Sequence, residues 1–146
     1  MIPKSEHEQT LTIKVDVFIP DHPDRTTSPV FARTRKKLIE DNPNAKCAVD
    51  NGHCDHDHPL ELHHQHVEWC DSNGVDWRKV AVLIPEFDWM TFDPEHPEDF
   101  IDSEWNANLV LCKKHHTGVD HGIHCLPGPT WGNAAGTEGR LRVFPR

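Results

Sequence analysis

The chain has 146 residues, of which 36% are hydrophobic and 27% charged, with a formal net charge of −9. That length suits one domain with its own core, and 12 prolines and 8 glycines predict short elements joined by many loops. No apolar run approaches the roughly 18 residues of a membrane-spanning helix, and the opening MIPKSEHEQT lacks the apolar stretch of a secretory signal. No membrane partner is expected, and the expected location is the cytoplasm, where thiols stay reduced.

Leu11, Ile13, Val15, Val17 and Ile19 alternate with mostly polar neighbours, the period of a half-buried strand. Pro20 ends it. Thr27 or Ser28 followed by Pro29 is a helix start, and the helix is predicted to run through FARTRKKLIED and stop before Pro43. Residues 44–59 read as irregular and Leu60 to His64 as a short strand. Residues 66–80 suggest a helix interrupted near Asn73-Gly74, and VAVLI at 80–84 fits either a strand or a buried helical turn. Residues 85–104 read as a loop with helical turns, and Asn108 to Leu111 as an apolar strand with a helical turn after Cys112. The tail from Pro127 is Gly/Pro-rich, with a short strand expected at LRVF.

An acidic chain is an unpromising partner for phosphates, but the acidity is local. Residues 66–105 hold 11 acidic and 2 basic side chains, the remaining residues hold 13 of each, and residues 106–146 sum to +3. A nucleic-acid partner is therefore not excluded.

Ten of the 13 histidines lie in residues 53–66 or 115–124, and Cys47, Cys54, Cys112 and Cys125 flank the same two windows. Imidazole and thiolate are the usual ligands of transition metals, and five cysteines at uneven spacing fit ligation better than a disulfide framework. Window one contains Cys47, Cys54 and ELHH with His63, His64 and His66. Window two contains Asn106, Asn108, Cys112, His115, His116 and His124.

ELHH followed by NLVLCKKHH resembles the HNH (His-Asn-His) endonucleases of the ββα-metal fold, and the wider pattern over roughly residues 13–125 is similar to small phage-type members. The resemblance implies an α+β fold in one domain. A ββα-metal core, of the His-Me finger or treble-clef-like kind, would lie at 44–66 and 106–125. An N-terminal strand and helix would occupy 1–43, a long acidic insertion 67–105 and a tail 126–146. It implies hydrolysis of DNA phosphodiesters with one magnesium or manganese ion. His63 would be a metal ligand and His64 the general base, a role that suits an imidazole at neutral pH. His116 would be the second ligand. His124 completes the set through the Gly-Ile-His match, with His121 and Asp120 as alternatives, and His66 fits the HHxH pattern. Adjacent strand residues point to opposite sides, so the doublet is expected at a strand end. The asparagine that fixes the loop and orients the base is assigned to Asn108, with Asn106 as the alternative.

Cys112-x-x-His115 has the gap that lets one turn present two ligands to zinc. Cys47 and Cys54 are the candidate second pair for a structural zinc. Their six-residue separation is wider than usual, Asp50 stands where a closer cysteine would, and His53 or His56 could replace one ligand. Cys70 and Cys125 are expected to be packing residues. Trp69, Trp77, Trp89 and Trp105 predict that the insertion packs on the domain as a cover, with a docked protein partner as the second reading. Phosphate contacts are expected from Arg33, Arg35, Lys36, Lys37, Lys113, Lys114, Arg140 and Arg142, with Arg33, Lys36 and Lys37 on one helix face. The alternative function is a zinc-stabilised nucleic-acid- or protein-binding module that lacks the chemistry. No Gly-rich phosphate loop, Ser-His-Asp spacing or HExxH motif supports a rival mechanism.

Overall fold

The computed structural model describes residues 19–119 and 121–125. The strand expected from Leu11, the strand at LRVF, and Asp120, Arg140 and Arg142 lie outside the described residues. What is described is a small α+β fold, with short helices around a two-stranded antiparallel sheet. Among these residues no helix is long and apolar enough to cross a membrane.

Helix α1 spans Pro29–Arg35 and opens as its sequence dictates. The Ser28 hydroxyl accepts the Phe31 N–H at 2.9 Å, and Pro29 occupies the first turn, where a missing N–H costs nothing. A wider π-type turn, Lys36–Glu40, continues it and stops at Asp41, ahead of Pro43. Strand β1 (Glu61–His63) pairs with β2 (Leu109–Leu111), with Leu62 opposite Val110. The helix after β2, labelled α4 below, spans Lys113–Thr117.

Two three-residue strands cannot hold themselves together, and two small cores support them. One gathers Cys47, Val49, Leu111 and Cys112, with Cys54, Leu60, Leu109 and Ile123 against it. The other lies within the insertion and gathers Val67, Ile84, Phe100 and Ile101. Its aromatic wall is Trp77, Phe87, Trp89 and Phe92, which meet each other or Phe100 at centroid distances of 4.8–6.0 Å.

The insertion's backbone forms a 3-10 turn (Trp69–Gly74), helix α2 (Trp77–Leu83) and helix α3 (Glu98–Ile101). The ambiguous run 80–84 is therefore mainly helix. The deciding feature is Asp76, whose carboxylate accepts the Arg78 N–H at the start of α2. Trp69, Trp77 and Trp89 pack against the insertion's own core, whereas Trp105 is 39% exposed. Cys70 is half-buried, but Cys125 is exposed and is not the packing residue expected of it.

Candidate metal centre and active site

Two groups of side chains have the composition and spacing to hold a metal: Cys47, Cys54, Cys112 and His115, and separately His63, His116 and His124. Within each group the ligand atoms all lie within 4.8 Å of one another.

The first group is a Cys3His cluster that could hold a metal such as zinc. Nδ1 of His115 lies 3.2 Å from the Cys112 sulfur, 3.5 Å from Cys47 and 3.7 Å from Cys54. A tetrahedral zinc at about 2.3 Å from sulfur and about 2.1 Å from nitrogen would set such separations near 3.6 Å. The wide Cys47–Cys54 gap closes because the chain turns back on itself. Asp50 adopts the left-handed conformation (φ 46°), the Asn51 side chain accepts the His53 N–H, and Cys54 N–H donates to the Asn51 carbonyl. Asp50 therefore makes the turn rather than supplying a ligand, and His53 and His56 are exposed.

Burial shapes the electrostatics of this cluster. Burial, with the neighbouring Cys47 and Cys112, pushes the Cys54 thiol up to about 12. At Cys112 burial acts the same way, but N–H bonds from Asp55 and His115 outweigh it and lower the thiol. Burial chiefly, then the charges of His121 and Lys114, lowers His115 to about 4, so its ring is neutral at neutral pH, as a ligand must be.

The second group is separate from the first. His63 ends β1 and His64 follows it, the strand-end position expected of the doublet. The His63 ring meets His116 at 5.4 Å and His124 at 4.8 Å between centroids, and the Nε2 atoms of His116 and His124 are 3.0 Å apart. Nδ1 of His116 donates to Glu61 Oε2 at 2.6 Å, and its Nε2 is turned toward His124. A carboxylate behind a ligating imidazole is the usual means of fixing tautomer and ring. Burial lowers His63 to about 4, and its Nδ1 is buried without a hydrogen bond, 3.7 Å from Glu68. A neutral, enclosed nitrogen of this kind suits metal ligation.

His124 reaches the group through a tight return after α4. Gly122 N–H donates to the Gly118 carbonyl, Ile123 to His115 and His124 to His116. A Cβ at Gly122 would lie 2.6 Å from the Gly118 oxygen and 2.8 Å from the His116 oxygen, so only glycine fits. His121 is carried elsewhere, toward His53 and His115. His66 is exposed and outside both groups.

His64 faces away from the ligands into a network that sequence reasoning missed. Its Nε2 lies 2.9 Å from Asp102 Oδ1, and its Nδ1 lies 3.4 Å from Glu68 Oε2. Arg25 donates to the same Asp102 oxygen at 3.0 Å, and Ser28 donates to Oδ2 at 2.7 Å. Burial opposes a charge on His64, but the bonds to Asp102 and Glu68 outweigh it and raise its pKa. Burial likewise opposes ionisation of Asp102, and the His64 and Ser28 bonds with the Arg25 charge hold it below the usual carboxylate range.

Of the two candidate asparagines, Asn106 is the one whose amide holds loop backbone. Asn106 is fully buried. Its Oδ1 accepts from His66 and Val67 N–H at 3.0 and 2.9 Å, and its Nδ2 donates to the Val67 and Ile101 carbonyls at 2.8 Å each. It thereby anchors the residues immediately before Glu68 and Asp102. Asn108 is exposed, one residue ahead of β2. Register explains the difference. Counting back from Cys112 assumes that the loop keeps its length, whereas the buried amide is chosen by the backbone groups it must satisfy.

The expected basic residues are only partly available. Lys36 pairs with Asp41, and Lys37 pairs with Glu104 at 2.5 Å, while Arg33 and Lys113 are exposed and Lys114 is half-buried. A cleft of about 380 Å³ opens beside His116, lined by Arg25, Thr27, Phe31, Arg35, Glu61 and Leu62. Comparison of the chain with protein-family models, with curated proteins and with solved structures returns no match.

Proposed function

We propose that the chain is a metal-dependent HNH endonuclease of the ββα-metal type that hydrolyses DNA phosphodiester bonds. One divalent cation, magnesium or manganese, would be held by His63, His116 and His124, and a structural zinc by Cys47, Cys54, Cys112 and His115. The observation that carries this reading is the division within the doublet. His63 turns to two further imidazoles, while His64, the next residue, meets a hydrogen-bonded carboxylate network. A ligand set and a candidate base thus stand side by side at one strand end. His64 would take the proton of the attacking water. The cation, when bound, supplies Lewis-acid polarisation of the phosphate and charge for the leaving oxygen. Arg25 and Arg35 line the cleft beside His116 and suit a phosphate there.

The test is plasmid cleavage with magnesium or manganese by wild type, His64→Ala and His63→Ala. Cleavage by wild type alone is expected. Wild-type activity no greater than that of His64→Ala refutes the reading.

A second reading, a zinc-stabilised binding module of the same fold, is favoured by one observation. His64 is only 5% exposed, with carboxylates facing both ring nitrogens, which holds it toward its protonated form. That reading expects stoichiometric zinc and salt-sensitive DNA binding, or binding of a protein through the acidic insertion, without cutting.

A further inference from the structure

We infer that Asp102, carried by the acidic insertion, is a positioning residue for His64, and that Arg25 and Ser28 fix Asp102 in that role. The inference rests on the nuclease reading and makes the insertion part of the catalytic apparatus rather than only a cover.

Asp102 is 1% exposed and directly follows α3, at the edge of the insertion's aromatic core. Both of its oxygens have directed donors. Oδ2 accepts from Ser28, whose hydroxyl already caps α1, and Oδ1 accepts from Arg25 and His64. The Arg25 guanidinium is itself seated over the Phe31 ring, 5.0 Å from its centroid, and Phe31 lies 6.0 Å from the His64 ring. The backbone beneath is fixed too, since Asp102 N–H donates to Glu98 and the adjacent Ile101 carbonyl is held by Asn106. The carboxylate therefore has one orientation.

That orientation selects a tautomer. An ionised carboxylate can only accept, so the 2.9 Å bond to Asp102 calls for a proton on Nε2, with Arg25 Nη2 also 3.2 Å from that nitrogen. Nδ1 faces the Glu68 carboxylate, 3.4 Å from Oε2. In the neutral ring Nδ1 is then the nitrogen whose lone pair would take a proton from water. As it does so, the Asp102 charge offsets the charge forming on the ring. Without Asp102, Arg25 Nη2, which already lies 3.2 Å from Nε2, would face the ring with no anion beside it.

The experiment has two arms on the full chain. In the first, histidine is labelled with ¹⁵N and the His64 ring nitrogens are read by NMR in wild type. A protonated Nε2 is expected; a bare Nε2 overturns the inference without any variant. In the second, Asp102→Asn is compared with wild type in manganese-dependent plasmid cleavage. The expected result is a kcat lower by a hundredfold or more, on the order of what a general base contributes, with KM for DNA within about twofold and bound zinc unchanged. Cleavage by wild type that Asp102→Asn retains overturns this inference alone. Wild type that never cleaves overturns the proposed function, and this inference with it.

Discussion

Replacing Asn106 by alanine is the sharpest probe of how the site is held together. Its amide serves four backbone groups, two N–H and two carbonyls, from a fully buried position. Each buried group left without a partner costs about 1–3 kcal/mol. Water entering the space left by the side chain would restore some of these bonds, so a net loss of about 3–5 kcal/mol is expected. That is a large part of the roughly 5–15 kcal/mol that stabilises a domain. At about 4 °C per kcal/mol for a chain of this size, the Tm should fall by about 12–20 °C. Asn108→Ala alters an exposed side chain and should stay within about 0.5 kcal/mol of wild type. Thermal melts and urea unfolding of both variants, in the same zinc-loaded buffer, give the comparison directly. Equal effects, or a greater loss for Asn108→Ala, would show that the loop is not anchored by the Asn106 amide.

Three further outcomes are expected. Cys112→Ser should remove stoichiometric zinc, measured by elemental analysis, and lower the Tm to that of chelator-treated wild type, because metal affinity and folding free energy are linked. Glu61→Gln weakens the anchor behind His116 and should reduce manganese affinity about 10–100-fold in titrations, without altering bound zinc. The metal-free protein should also lose stability in acid. His63 and His115 are held near 4 by burial, against 6.5 when exposed, so between those values the unfolded chain binds more protons than the folded one. Stability contributed by this pair is complete above 6.5 and is lost as the pH falls toward 4. His64, raised by its carboxylates, runs the other way as pH rises. A Tm that stays flat or increases on acidification through that window would refute the burial argument for the pair.

Much of the candidate site was legible because ligand chemistry is local and rare. Histidines and cysteines crowded into two windows left few ways to compose a cluster, and both expected groups assemble residue for residue. Helix α1 was equally readable, since Ser28 and Pro29 act within one turn. What stayed hidden were partners chosen by tertiary contact. Asp102 and Glu68 are two of 11 acidic residues between 66 and 105, and nothing in their immediate sequence marks them as the ones turned inward. Arg25 sits in a run of turn-forming residues, 77 positions from its partner.

The placement of those hidden residues changes how the insertion should be understood. The Cys3His cluster and the sheet belong to one core, and Phe100, Ile101 and the tryptophans to the other. His63 ends β1 and His64 follows it, ahead of Val67 of the second core. The ligand set is completed from the first side, by α4 and the glycine turn after it. The His64 network is completed from the second, by Asp102 and Glu68, with Asn106 holding the backbone ahead of each. A cover could be trimmed or replaced by any apolar surface of similar shape. A segment that supplies the carboxylates of His64 cannot, because an imidazole enclosed without its anion would lose both its orientation and the counter-charge that makes proton uptake favourable. Damage confined to the insertion's aromatic core, such as Phe100→Ala, should therefore impair cleavage before it releases zinc, and zinc release in step with lost activity would argue that the two cores are one cooperative unit.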